Sequence, residues 1–229
     1  MKRRDLTAAM VFSTTAMAPS WLHAAPSEGD AAAGVRAALE RGALAAVQLL
    51  GRTDGFLGDP RVRISLPENL ERVATLLKAI GQGKRVDELV TAMNRAAEAA
   101  VPEARTLFVS TVKQMSVEDA LSVVRGGPTS MTDYFSGKTR SPLGEKFLPI
   151  VTRATEKVKL AERYNQVAAK AAGAGLVKGD AVTVQQHVTA RALDGLFLMI
   201  GEEEKKIRAD PLKTGSAILK KVFGSWRGN

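Results

Sequence analysis

The chain contains no cysteine. That excludes disulfides, thiolate catalysis, thiolate metal sites and the lipidated cysteine of a lipoprotein anchor, so stability has to come from packing. Aromatic residues are scarce, at 5% of 229, too few to build the stacking platforms on which single-strand nucleic-acid binders hold bases. Histidine is scarcer still. Of His23 and His187, only the second lies outside the N-terminal leader described below, which rules out a multi-histidine zinc site. Long apolar runs are also missing. Beyond the leader the longest is Leu196 to Ile200, far short of the roughly 20 residues that span a bilayer, so no transmembrane segment is expected in the mature chain. No Gly-x-Ser-x-Gly elbow marks a serine nucleophile, and the glycine-rich pieces at 51–58 and 81–83 match no phosphate-binding fingerprint. No cofactor is therefore expected.

What is present starts with a leader. Met1-Lys2-Arg3-Arg4 supplies positive charge, Leu6 to Met17 is mostly small or apolar, and Leu22-His23-Ala24 matches the small-residue pattern of a signal-peptidase site. We expect residues 1–24 to be a signal peptide, cut after Ala24 or else after Ala25, leaving residues 25–229 as one domain in the periplasm or secreted. The pair Arg3-Arg4 followed by Leu6 also fits a twin-arginine signal, so Sec and twin-arginine export both stay open. The leader holds +2 of the formal +9, which leaves the mature chain at +7. Because Lys and Arg alternate with Asp and Glu along most segments, the bulk reads as solvated faces, and nucleic acid ranks last among anionic partners.

Helical periodicity covers most of the remainder. From Asp30 to Leu50 the apolar residues recur at steps of three and four, closed by Gly51. Pro67 opens a second helix with Glu68 and Glu71 in its first turns. A longer pattern runs from Val86 to Met115, with a kink or a break predicted at Pro102 as the first position of a new helix. Ser116 to Asp119 reads as a capping box for a short helix ending at Gly126-Gly127-Pro128. A turn carrying Met131, Tyr134 and Phe135 then leads to Ser141-Pro142, predicted to cap another long helix that ends at Gly173 and Gly175. The last two helices are predicted over Asp180–Ala209 and Pro211–Phe223. The exception is Arg61-Val62-Arg63-Ile64-Ser65-Leu66, which alternates with period two as an extended segment does. Since no second strand pattern exists, the prediction is an all-α, irregular multi-helix bundle with one short extended loop segment.

The candidate site residues are Asn94, Arg95, Glu98 and Asp194. Asp194 sits in Ala192 to Ile200, apolar around much of its circumference, and a buried carboxylate must be paired or protonated. The pairing expected is with an arginine such as Arg95, and Gly195 beside it is expected to admit another helix at close range. Asn94, Arg95 and Glu98 share one face of their helix. Turned inward they would line a cleft together with Asp194; turned outward they are an ordinary solvated face. Glu202-Glu203-Glu204 is not a metal site, because successive helical residues diverge by about 100°, and surface pairing with Lys206 and Arg208 is expected instead. His187 is expected to be structural, on the surface or half buried.

Four stretches resemble a known family in the same order: Thr53 to Gly58, Met93 to Ala104, Phe147 to Val151, and Asp194 to Phe197 followed by Glu202 to Arg208. Together they are similar to the bacterial family called domain of unknown function 4197, over about Asp30 to Gly224. Ser65 stands where that pattern leads one to expect proline, which bears on the stiffness of the loop. The resemblance implies a helical exported protein, and it brings neither an activity nor catalytic residues.

The leading functional expectation is a non-enzymatic periplasmic binding or interaction protein, with an unknown protein or a small apolar ligand as its partner. One rival is a carrier for a lipid or other apolar ligand. Another is a hydrolase-like enzyme using Asp194, Glu98 and Arg95 as an acid/base pair with an anion clamp. The segment Pro211 to Arg227 sets Leu212, Ile218, Leu219, Val222 and Phe223 against Lys213, Lys220 and Lys221, which suits either peripheral contact with an anionic membrane or docking on the core.

Overall fold

A computed structural model describes residues 26–157, 159, 162–164, 166 and 183–224. The expected signal peptide, the predicted helix end at Gly173 and Gly175, and Trp226 with Arg227 lie outside the described residues. The fold is all-α. Among the described residues it comprises α1 (Glu28–Leu50), α2 (Glu68–Ala79), α3 (Gly83–Glu103), α4 (Arg105–Lys113), α5 (Val117–Val124), α6 (Ser130–Lys157), α7 (Val184–Ala209), a short 3-10 turn (Pro211–Thr214) and α8 (Ala217–Gly224).

The caps explain the starts. Ser27 accepts from the Asp30 amide at 3.1 Å while the Asp30 carboxylate accepts from the Ser27 amide at 3.1 Å, so α1 begins two residues earlier than its apolar pattern. Thr183 and Gln186 form the same reciprocal box at the head of α7. Ser116 caps α5 as expected, but the Asp119 side chain binds the Tyr134 hydroxyl rather than closing the box.

Two proline predictions need correction. The break near Pro102 falls at Ala104, with Pro102 inside the last turn of α3. At Pro142 no break occurs, and α6 runs unbroken for 28 residues through Pro142 and Pro149. Met131, Phe135, Leu143, Phe147, Val151 and Ala154 are buried along its length. Packing of that continuous stripe, chiefly on α7 and α3, outweighs the local cost of a proline in a helix. At the C-terminus the predicted single helix from Pro211 is divided by Gly215, whose left-handed φ of 72° ends the 3-10 turn.

α1 and α7 form the centre. α1 packs on α4, α5, α7 and α8, while α6 lies along α7, and α3 touches both α6 and α7. Phe197 of α7 meets Phe108 and Phe135 at ring-centroid separations of 6.1 Å each, in tilted and edge-on geometry. The apolar residues Leu219, Val222 and Phe223 of α8 are buried, and α8 packs on α1, with Lys221 paired to Asp30 at 2.7 Å. α8 thus docks on the core, while Leu212 in the preceding 3-10 turn is 64% exposed. No helix among the described residues is long and apolar enough to cross a membrane.

One carboxylate ties three helices together. Glu204 is 2% exposed, contrary to the expected surface position. It accepts from the Met131 amide at 3.1 Å and the Thr132 amide at 2.8 Å at the start of α6, and from the Arg208 guanidinium at 2.9 Å. Arg208 in turn donates to the carbonyls of Val124 and Val123 at the end of α5. An acceptor thus meets the open amides of a helix start, and a donor meets carbonyls of the last turn of another helix. Glu204→Ala leaves the part-buried Arg208 without its anion and the buried Met131 and Thr132 amides without their acceptor, and should cost about 3 kcal/mol or more in urea denaturation; a cost under about 1 kcal/mol contradicts the role given to Glu204.

Candidate functional site

The polar residues of α3 meet the loop between α1 and α2. That loop turns sharply at Asp54, one of the few non-glycine residues with a left-handed backbone, φ 62°. Phe56 is thereby directed inward and is fully buried. It rests on Gly195 of α7, where a Cβ would lie 2.8 Å from the ring. The close approach expected at Gly195 is therefore made by a loop residue, not by another helix. Past Phe56 the period-two reading is realised: Val62, Ile64 and Leu66 are buried, and Arg61, Arg63 and Ser65 are exposed.

An extended segment with no neighbouring strand has backbone groups to satisfy, and here side chains satisfy them. Asn94, fully buried on α3, accepts from the Ile64 amide at 2.9 Å and donates to the Ile64 carbonyl at 2.9 Å and the Val90 carbonyl at 2.8 Å. Its primary amide occupies the place of a partner strand. One turn on, Glu98 is 4% exposed and accepts from the amides of Phe56 and Leu57 at 3.1 and 3.2 Å through Oε1. Its Oε2 accepts from Arg95 at 2.6 Å, and Arg95 also donates to Asp54 at 2.8 Å. Its hydrogen bonds to these two carboxylates, Glu98 first, raise the Arg95 pKa above its ordinary value. Asn94 and Glu98 thus turn to the protein, Arg95 stands at its edge, and what the three hold is a loop.

Asp194 stands apart from them. It is half exposed and pairs with Arg140 of α6 and with Arg191 at 3.2 Å, so neither Arg95 nor Glu98 is its partner. The helical register supplies the reason. Asp194 begins an outward stripe through Leu198, Glu202 and Lys205, and Leu198 is 39% exposed despite being apolar. His187 is half buried, and its Nε2 lies 2.8 Å from the Ser65 carbonyl. Burial, with some help from Arg191, pushes its pKa below the ordinary 6.5. The adjacent glutamates part company: Glu202 pairs with Lys205, Glu203 with Arg41 and Lys206, and Glu204 goes inward.

The outer face of α3 borders an open cleft of about 780 Å³, lined also by the end of α6 and the residues that follow it. Five cations meet there: Lys84, Arg95, Lys157, Lys159 and Arg163. Two acids share it, but Asp87 is paired with Lys78 at 3.2 Å and Glu88 with Arg163 at 3.0 Å. Sequence reading passed over this cleft. Its α3 half was visible as Lys84, Glu88, Thr91 and Arg95 at helical spacing, whereas the half from Lys157 to Arg163 arrives only through tertiary packing.

The model of the family "Protein of unknown function (DUF4197)" matches residues 25–224. The chain belongs to the DUF4197 family. Among curated proteins and among solved structures, none matches the chain. The α3 clamp and the stretch from Asp194 to Arg208 both lie within the DUF4197 region, as does the cleft.

Two predictions follow from the clamp. Asn94→Ala leaves the buried Ile64 amide and carbonyl without partners and should cost at least about 2 kcal/mol, lowering Tm by roughly 4 °C or more, while Thr91→Ala on the exposed side of α3 changes Tm little. Equal effects from the two would contradict the clamp. For His187, the folded pKa lies below the unfolded one, so the unfolded chain binds the extra proton. Stability is therefore full above 6.5 and falls as pH drops through 6.5 toward the folded pKa. Tm measured between pH 7.5 and 5.5 should decline in the native sequence and flatten in His187→Gln; a decline unchanged by the substitution contradicts this assignment.

Proposed function

We propose that this DUF4197 protein is an exported, periplasmic, non-enzymatic binding or interaction protein whose contact surface is the cationic cleft between α3 and the end of α6. The observation that carries the reading is the commitment of the candidate polar residues. Asn94 and Glu98 are buried and occupied by backbone groups, Arg95 is held by two carboxylates, and Asp194 faces another side with two arginines of its own. An acid/base pair needs groups that reach a common substrate atom, and these do not converge. The match of the family model from residue 25 onward supports a mature domain that begins after the expected cleavage point.

The carrier reading draws less support. A groove between α6 and α7, floored by Gly144, Leu148, Ala190 and Leu193, measures about 280 Å³. That is at the lower edge of the roughly 300–1,000 Å³ of small-molecule sites, and Arg140 stands among its lining residues.

The test is native mass spectrometry of the protein recovered from the periplasm. The expected result is a chain beginning at Ala25 that retains a polar small molecule or a second polypeptide. A retained lipid, or a chain that still carries its first 24 residues, contradicts the proposal. Asp194→Asn should leave that retained partner in place.

A further inference from the structure

We infer that the α3/α6 cleft is a binding site for a small soluble anion carrying two or more negative charges; this deepens the binding reading above and rests on it. Its volume of about 780 Å³ lies well inside the roughly 300–1,000 Å³ of small-ligand sites. The charges decide the ligand class. The two acids in the cleft are already neutralised, Asp87 by Lys78 and Glu88 by Arg163. Among the described residues, Lys84 and Lys159 have no carboxylate within ion-pair distance, and Lys157 has only Glu103 at 4.0 Å, which Arg153 approaches more closely at 3.2 Å. Three lysines on two separate chain segments are left to face the opening.

The start of α3 adds to the positive charge. Like α4, α7 and α8 it has no acid in its first turn, and it carries Lys84 and Arg85 there, beside the positive end of the helix dipole. Lysine ammonium groups are mobile point charges, suited to charge density more than to one planar geometry. Lysines on opposing segments can bridge an anion that has charge to offer on two sides.

A soluble anion fits better than a lipid headgroup. Leu76 of α2 and Ile80, just past its end, are 51% and 68% exposed. Lys78 marks the side of α2 nearest the cleft through its pair with Asp87, and at about 100° per residue Leu76 lies nearly opposite it. The exposed apolar side chain of Leu76 is thus turned away from the cleft and forms no rim there to enter a bilayer.

Titration calorimetry of the mature protein at low ionic strength, with inorganic pyrophosphate and with citrate as probes, tests this. Both should bind at a single site. The double substitution Lys84→Glu with Lys159→Glu should weaken them about tenfold or more. Lys113→Glu with Lys220→Glu, an equal change of net charge away from the cleft, should weaken them less than about threefold. Alanine at positions 84 and 159 should act in the same direction as glutamate, which keeps the test usable if charge reversal disturbs folding. Absence of binding by the native sequence, or equal loss in the two charge-reversal pairs, overturns the site. Binding to phosphatidylglycerol vesicles without binding to pyrophosphate or citrate overturns it also. A calorimetric null beside a polypeptide retained in native mass spectrometry defeats the anion site and leaves the binding reading standing.

Discussion

A buried amide group must be hydrogen-bonded, and in this protein that requirement falls on an extended segment that has no sheet to join among the described residues. The chain from Phe56 to Leu66 carries four apolar side chains into the core, and with them comes backbone that water cannot reach. α3 answers with Asn94 and Glu98, one turn apart, which supply acceptors and a donor at the positions a neighbouring strand would have supplied. The position of α3, the seating of Phe56 on Gly195 and the course of the loop over α7 all follow from it.

The same logic recurs at Glu204 and Arg208. There a buried ion pair joins the end of α5, the start of α6 and the body of α7 by binding the amides and carbonyls that helix ends leave open. Buried charge in this protein thus serves backbone groups. Paired and hydrogen-bonded in this way, it does not supply a free acid or base. That is why we place function at the cleft, where Lys84 and Lys159 line the opening with no carboxylate partner among the described residues.

Much of the fold was legible because helical periodicity and capping residues are local. Ser116 and the apolar steps of α1 and α7 are of that kind, as is the alternation from Arg61 to Leu66. Residues whose fate depends on a distant element were harder to read. Pro142 looked like a helix start, yet continuous burial from Met131 to Ala154 carries α6 through it. Asp194 looked buried because Ala192 to Ile200 is apolar around much of its circumference, and only the packed structure shows the side with Asp194 and Leu198 facing out. Glu204 had a visible sign, since it continues the buried positions Leu193, Phe197 and Ile200 at helical spacing. The three-glutamate run concealed it. For the site, the grouping of Asn94, Arg95 and Glu98 was readable, but its target was not, because the Ile64 backbone lies 30 residues away in sequence.

Amide hydrogen exchange, resolved by residue in the mature protein, addresses the central claim most directly. The amides of Phe56, Leu57 and Ile64 lie in a loop that lacks regular structure, yet they should exchange as slowly as amides in the middle of α3. Exchange at the rate of an open loop, with α3 itself protected, would show that the Asn94 and Glu98 side chains do not hold this segment.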